Sequence, residues 1–153
     1  MGPCVACSAD DTVPREFPDS ALRAVLESID EPALLYSAGG RIAAVNRAAT
    51  ALSDLPVVGI TILELLERYG AYRADGKPVI LSNLPHARAL RGEVVEQGER
   101  LVMRLPGGRI YRTLVTSTPV SADGRVVGAL SVWHDFDAYL RRLDPDEQPA
   151  GSA

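Results

Sequence analysis

The chain has 153 residues and a net charge of −4, with 46% hydrophobic and 24% charged residues. That balance predicts one globular domain with tails, long enough to bury about two thirds of its unfolded surface in a single core. The acidic balance excludes non-specific binding to nucleic acid or to an anionic membrane as the main task. No apolar run approaches the ~20 residues of a spanning helix and no basic leader precedes a hydrophobic one, so the expected location is the cytoplasm.

Residues 1–18 carry three prolines, several acids and no periodic apolar pattern, which predicts a flexible arm. Within it Cys4 and Cys7 form a C-x-x-C and are the only two cysteines, so no disulfide framework holds the fold. A redox dithiol sits at a helix start after a strand, and a zinc site needs a second ligand pair; the sequence offers neither. The pair reads as incidental, with a metal shared between two chains or a labile disulfide as the alternatives.

Asp19-Ser20 predicts an N-cap ahead of a helix whose Leu22, Val25, Leu26 and Ile29 make an apolar stripe. Such a stripe covers either its own sheet or a second copy, and the sequence does not choose. These four residues, with His134 discussed below, are the candidate dimer or partner surface. After Pro32, residues 33–37 (ALLYS) and 41–45 (RIAAV) flank Ala38-Gly39-Gly40 as a hairpin, and Asn46 is placed to cap a short helix through Leu52. Residues 60–69 (ITILELLERY) have helical spacing, with Gly70 as C-cap. Residues 72–81 read as a loop, and a last helix begins near Ser82, takes Pro85 in its first turn and ends at Gly92.

Three β-type segments then follow without a helix between them. Residues 99–105 (ERLVMRL) lead into Pro106-Gly107-Gly108, residues 109–120 (RIYRTLVTSTPV) into Ala122-Asp123-Gly124, and residues 125–134 (RVVGALSVWH) close the run. The turn residues supply positive φ angles and the flanks are rich in Val, Leu, Thr, Tyr and Ile, which predicts an antiparallel meander. One face of that sheet needs a cover, and only the first ninety residues can supply it.

This order resembles that of a PAS domain, the small sensory module of bacterial signalling proteins. The resemblance covers Ser20 to Leu143 and rests on Gly40-Arg41-Ile42 through Val45-Asn46-Arg47-Ala48, on Asp75-Gly76-x-Pro78 followed by Arg88 to Glu93, and on Pro119-Val120 through Asp123-Gly124-Arg125-x-x-Gly128 to Asp135. It implies an α+β fold: a five-stranded antiparallel sheet, order 2-1-5-4-3, with short helices over one face and a pocket between them. Residues 19–143 would form the domain and 144–153, acidic and without periodicity, a disordered tail.

Set against the light-sensing, flavin-binding relatives, Ile62 stands where their reactive cysteine would be and has no nucleophile to offer. Met103 and Thr113 replace amide side chains and Trp133 a glutamine, which removes the polar groups a flavin needs. From that register, alternation sends Thr113, Val115 and Ser117 inward, with Ser131 and Trp133 beside them, Leu101 and Met103 joining from the preceding strand, and Ile62, Leu65 and Leu66 opposite on a helix. These residues either fill the core or line a mostly apolar chamber for a small apolar or amphipathic molecule. No cofactor is assigned.

Haem-binding relatives take iron through a histidine on the last helix before the long strands. His86 lies there, but in its first turn beside Pro85, and reads as a surface or capping residue. His134 alternates with Trp133 and should face the other side of the sheet. At the end of the last strand Asp135 matches the first residue of the Asp-x-Thr that links such domains to an output helix. Asp137 replaces the threonine, and could cap a turn over residues 138–143.

No Ser-His-Asp order, metal-ligand cluster or phosphate-cradling loop appears, and Glu64 and Glu67 read as the solvated face of a helix. The expected function is therefore non-enzymatic: a homodimeric sensory and signal-transduction module that binds a small ligand and regulates a protein partner. A haem- or other cofactor-loaded sensor, or a ligand-free interaction adaptor, is the alternative.

Overall fold

A computed structural model of the chain describes residues 17–52 and 57–138. Cys4 and Cys7, most of the N-terminal arm, the end of the expected output helix and the acidic tail lie outside these residues. The first helix, α1 (Ser20–Glu27), starts where Asp19 Oδ1 accepts from Leu22 N at 2.8 Å. The strands β1 (Ala33–Ser37) and β2 (Ile42–Val45) form the expected hairpin, and α2 (Arg47–Leu52) follows at once.

Asn46 joins these pieces. Its Oδ1 accepts from Ala33 N at 3.1 Å and Ala49 N at 2.9 Å, and its Nδ2 donates to Ile29 O and Glu31 O, both at 2.9 Å. One buried amide therefore caps α2 and fixes the segment between α1 and β1, with every donor and acceptor it owns satisfied.

Next comes α3 (Ile62–Tyr69), started by a capping box in which Glu64 N donates to Thr61 Oγ1 at 3.2 Å and Thr61 N to Glu64 Oε1 at 2.8 Å. A three-residue strand, β3 (Ala71–Arg73), and a 3₁₀ turn at Leu81–Asn83 lead to α4 (Pro85–Leu90). The helix is closed by an Arg88–Glu93 ion pair, and Arg91 Nη1 donates back to Ser82 O at 2.9 Å. The meander follows as β4 (Val95–Arg104), β5 (Ile110–Ala122) and β6 (Arg125–Asp135). Asp123 at φ 53° and Gly124 at φ 78° make the β5–β6 turn.

All pairs are antiparallel and the order is β2-β1-β6-β5-β4-β3. This is the expected neighbour sequence with one correction: a sixth strand, β3, pairs at the edge with Leu101 to Met103 of β4, where a loop from residue 72 was expected. Three residues are too few to show a periodicity, and the pairing comes from their neighbours, since Gly70 O also accepts from Arg104 N at 3.2 Å. In β6, a Cβ on Gly128 would stand 2.4 Å from Tyr36 O and 2.7 Å from the Phe17 ring, so only glycine lets β1 and Phe17 come this close.

The helices α2, α3 and α4 cover one face of the sheet around Tyr36, Leu65, Met103 and Trp133. On the other face a smaller cluster unites Leu26, Ala33, Leu35 and Ala44, with Leu22, Ile29, Leu130 and Val132 against it. This revises the candidate dimer surface. Leu26 is buried, Leu22 and Ile29 are half-buried on the chain's own sheet, and of the stripe only Val25, 52% exposed, is left outward. Three of the four stripe residues thus pack within the chain.

Candidate functional site

Register puts the inward residues together. Val115 lies opposite Trp133 and Ser117 opposite Ser131, while Leu101 lies opposite Thr113 on the next pair of strands. Because paired residues in a sheet share a face, all of these look toward the helices. Trp133 is 7% exposed and its indole sits between two cavities. The first, about 20 Å³, is bordered by Ile62, Leu66, Leu101, Met103, Val115, Ser131 and Trp133. The second, about 30 Å³, is bordered by Leu65, Met103 and Trp133. Thr113 and Ser117, expected as lining, are buried but border neither cavity.

Met103 and Trp133 border both spaces and so form the partition between them. Each cavity is large enough for a water, which needs roughly 10–15 Å³, and too small for an organic molecule unless the partition moves. The two partners differ in freedom. The backbone at Trp133 is clamped, its N–H donating to Pro32 O at 2.8 Å and its carbonyl accepting from the Tyr111 hydroxyl at 3.1 Å. Met103 is an unbranched thioether that repacks at little cost.

Sequence reasoning missed the polar end of the chamber. Tyr36 and His86 both border the first cavity and stack with ring centroids 4.3 Å apart at 23°. His86 is therefore no surface or capping residue: it is buried, at 8% exposure, and burial pushes its pKa down to about 4. Pro85 takes the first position of α4 and is buried together with His86, so the feature read as a sign of exposure does not keep the imidazole at the surface. Tyr36 is 1% exposed and burial pushes its phenol above its ordinary pKa. The signal available in the sequence was the uninterrupted apolar run of β1, which marks a strand buried on both faces.

A porphyrin does not fit this chamber, because the imidazole of His86 lies against Tyr36 and faces a space of about 20 Å³. Other hydroxyls are internally bonded. Ser117 and Ser131 share a hydrogen bond of 2.9 Å, and Thr113 Oγ1 donates to His134 O at 2.9 Å. The Tyr111 phenol is pushed up to about 12 by burial.

On the outer face His134 is half-buried, with Nδ1 2.7 Å from Glu31 Oε1 and Nε2 3.2 Å from Thr116 Oγ1. It is thus tied within its own chain, as the Asn46-held segment is. At the end of β6 the cap is Asp135, whose Oδ1 accepts from Ala138 N at 3.0 Å. The turn starts one residue after β6, which leaves Asp137 exposed inside it rather than at its head. Asp137 borders an open groove with Arg100, Arg112 and Phe136, and the Arg100 guanidinium stands 4.9 Å from the Phe136 ring centroid. Among the described residues no three His, Cys, Asp or Glu side chains gather to hold a metal, and no helix is long and apolar enough to cross a membrane.

No family model and no curated protein matches the chain. Solved structures do. The PAS domain of Bordetella pertussis BvgS is 17% identical with a TM-score of 0.51, over 84% of this chain and 96% of that one. A PAS domain from Colwellia psychrerythraea is 14% identical at 0.54, over 75% and 94%. The phage VqmA–DPO complex is 14% identical at 0.54, over 82% of this chain and 56% of that one.

Proposed function

We propose that this chain, whose fold is that of a PAS domain, is a non-enzymatic sensory module. It takes a small, largely apolar molecule into the space around Trp133 and passes that occupancy through β5 and β6 to a partner on the outer face, a second copy or a signalling protein. One observation carries the reading: among the described residues, Trp133 on a clamped strand and the flexible Met103 are the two side chains that border both cavities. The solved complex of phage VqmA with DPO supports the same use of the fold. His134, next in the chain to Trp133, faces the opposite side through Glu31, and Asp135 caps the chain's exit, so a displacement of β6 reaches both.

A ligand-free interaction adaptor is the second reading, favoured by the small volumes of the two cavities, about 20 and 30 Å³. Native mass spectrometry of the purified chain decides between them. A sensory module carries a retained small molecule, or takes one up from a metabolite set with a shift in Trp133 emission, which is unambiguous because the chain has one tryptophan. A clean mass, with neither emission nor melting temperature moved by the set, overturns the ligand reading and leaves the adaptor.

A further inference from the structure

We propose that the ligand is electrically neutral, with one hydrogen-bonding end held by the Tyr36–His86 pair and an apolar end beyond Trp133. This rests on the reading of the chamber as a ligand site and adds the chemistry of what enters it. Tyr36 and His86 border the first cavity and stack on each other; neither the hydroxyl nor a ring nitrogen makes a hydrogen bond with a described residue, and since no fully enclosed side-chain nitrogen or oxygen among those residues lacks a partner, these polar atoms face the cavity's open space. Buried phenols and imidazoles normally have partners, because an unmet donor or acceptor away from water is costly. Here the partner's place faces the cavity.

Charge narrows the class. Among the described residues, neither cavity is bordered by an Arg, Lys, Asp or Glu side chain, so a carboxylate or ammonium entering would lose its hydration and gain no counter-ion from them. The imidazole cannot serve as one, since burial holds His86 neutral at physiological pH. A neutral imidazole presents one donor and one acceptor and the phenol adds another of each, which suits an amide, a carbonyl, a hydroxyl or a ring nitrogen. The second cavity gives the orientation. Its borders, Leu34, Leu52, Val57 and Leu65 among them, are almost wholly hydrocarbon, so the apolar end passes the Met103–Trp133 wall and rests there.

Four probes of one shape test this: benzamide, toluene, benzoate and benzylamine, titrated at pH 7.5 into the wild-type protein and into Met103→Ala, which opens the partition. Binding is read from Trp133 emission and from melting temperature. Benzamide is expected to bind at least about tenfold more tightly than toluene, and benzoate and benzylamine at least about tenfold more weakly than benzamide. Tyr36→Phe, which keeps the ring stack, should reduce the benzamide preference severalfold and leave toluene unchanged, and His86→Phe should do the same. If toluene binds as well as benzamide and Tyr36→Phe changes nothing, the polar end is wrong while the chamber stands. Tightest binding by benzoate or benzylamine overturns the neutral class. If none of the four binds either protein, the chamber reading itself falls.

Discussion

On the inner face of the sheet, Trp133 and Met103 stand between two cavities of about 20 and 30 Å³, whereas on the outer face the segment joining α1 to β1 is held by hydrogen bonds that leave Asn46 no free polar atom. Apolar contacts are non-directional, and a methionine can exchange one set for another at small cost. Hydrogen bonds to buried amides have fixed geometry and cost much to break. The two faces of one sheet thus combine a region that can yield with a region that cannot, and β6 belongs to both. On the proposed reading, a change inside would be passed on by a strand whose outer side is anchored, in place of being absorbed by the loop.

The sharpest way to break this comparison is at its rigid side. Asn46→Leu strands Ala33 N, Ala49 N, Ile29 O and Glu31 O together, at ~1–3 kcal/mol for each that stays buried, so a loss of about 4 kcal/mol is expected in urea unfolding. Asn46→Asp keeps the two accepted bonds and faces two carbonyls without a donor, and should fall between. A cost below ~1 kcal/mol for Asn46→Leu would show that the segment is held by packing instead.

The yielding side is probed next. Met103→Ala is expected to cost about 3 kcal/mol, a typical figure for truncating a buried methionine, and to merge the cavities. Met103→Leu should cost under ~1.5 kcal/mol because it conserves volume, and it should also stiffen the wall. If Met103→Ala is as harmless as the leucine variant, the partition does not exist as described, and unchanged Trp133 emission in Met103→Ala would say the same.

His86 gives a smaller effect with a sign. Its folded pKa of about 4 lies below the ordinary 6.5, so the unfolded chain binds the proton first. The stability from keeping it neutral is therefore complete above pH 6.5 and is lost as the pH falls from there toward 4. Between pH 7.5 and 5 the loss should be about 2 kcal/mol, measured by urea unfolding at each pH. In His86→Phe that part of the pH dependence should vanish. A wild-type profile flat over this range would mean the imidazole is not desolvated.

Legibility followed the range of each signal. Turn residues such as Asp123-Gly124, the cap at Asp19 and the β-type segments of β5 and β6 act over a few residues, so the hairpins could be read directly, whereas the order of strands and the register behind the inward set from Leu101 to Trp133 came from the resemblance. Asn46 was legible as a helix cap and illegible as a joint, because three of its partners, Ile29, Glu31 and Ala33, precede it by more than a dozen residues. The same limit hid His86. Nothing near Pro85 says that Tyr36, fifty residues earlier, will lie beneath that imidazole. The partition at Met103 was equally hidden, since a wall between two voids depends on strands and helices far apart in the chain. β3 failed for the opposite reason, being too short to carry any pattern.

The smallest effect concerns the outer face beyond the anchored segment, where the sequence left open whether the α1 stripe covers its own sheet or a second copy. Leu22, Leu26 and Ile29 are engaged within the chain, and Val25 is 52% exposed. If the remaining edge of α1 also meets a second copy, Val25→Arg places a charge in that seam, and burying it unpaired is costly enough to dissociate a modest interface. Within one chain the same change alters an exposed position of a helix and should shift stability by less than ~0.5 kcal/mol. Light scattering during size exclusion separates the cases: a mass that falls from two copies to one, with an unchanged urea midpoint at matched dilute concentration, assigns Val25 to an interface between copies. An unchanged mass would confine the α1 stripe to its own sheet.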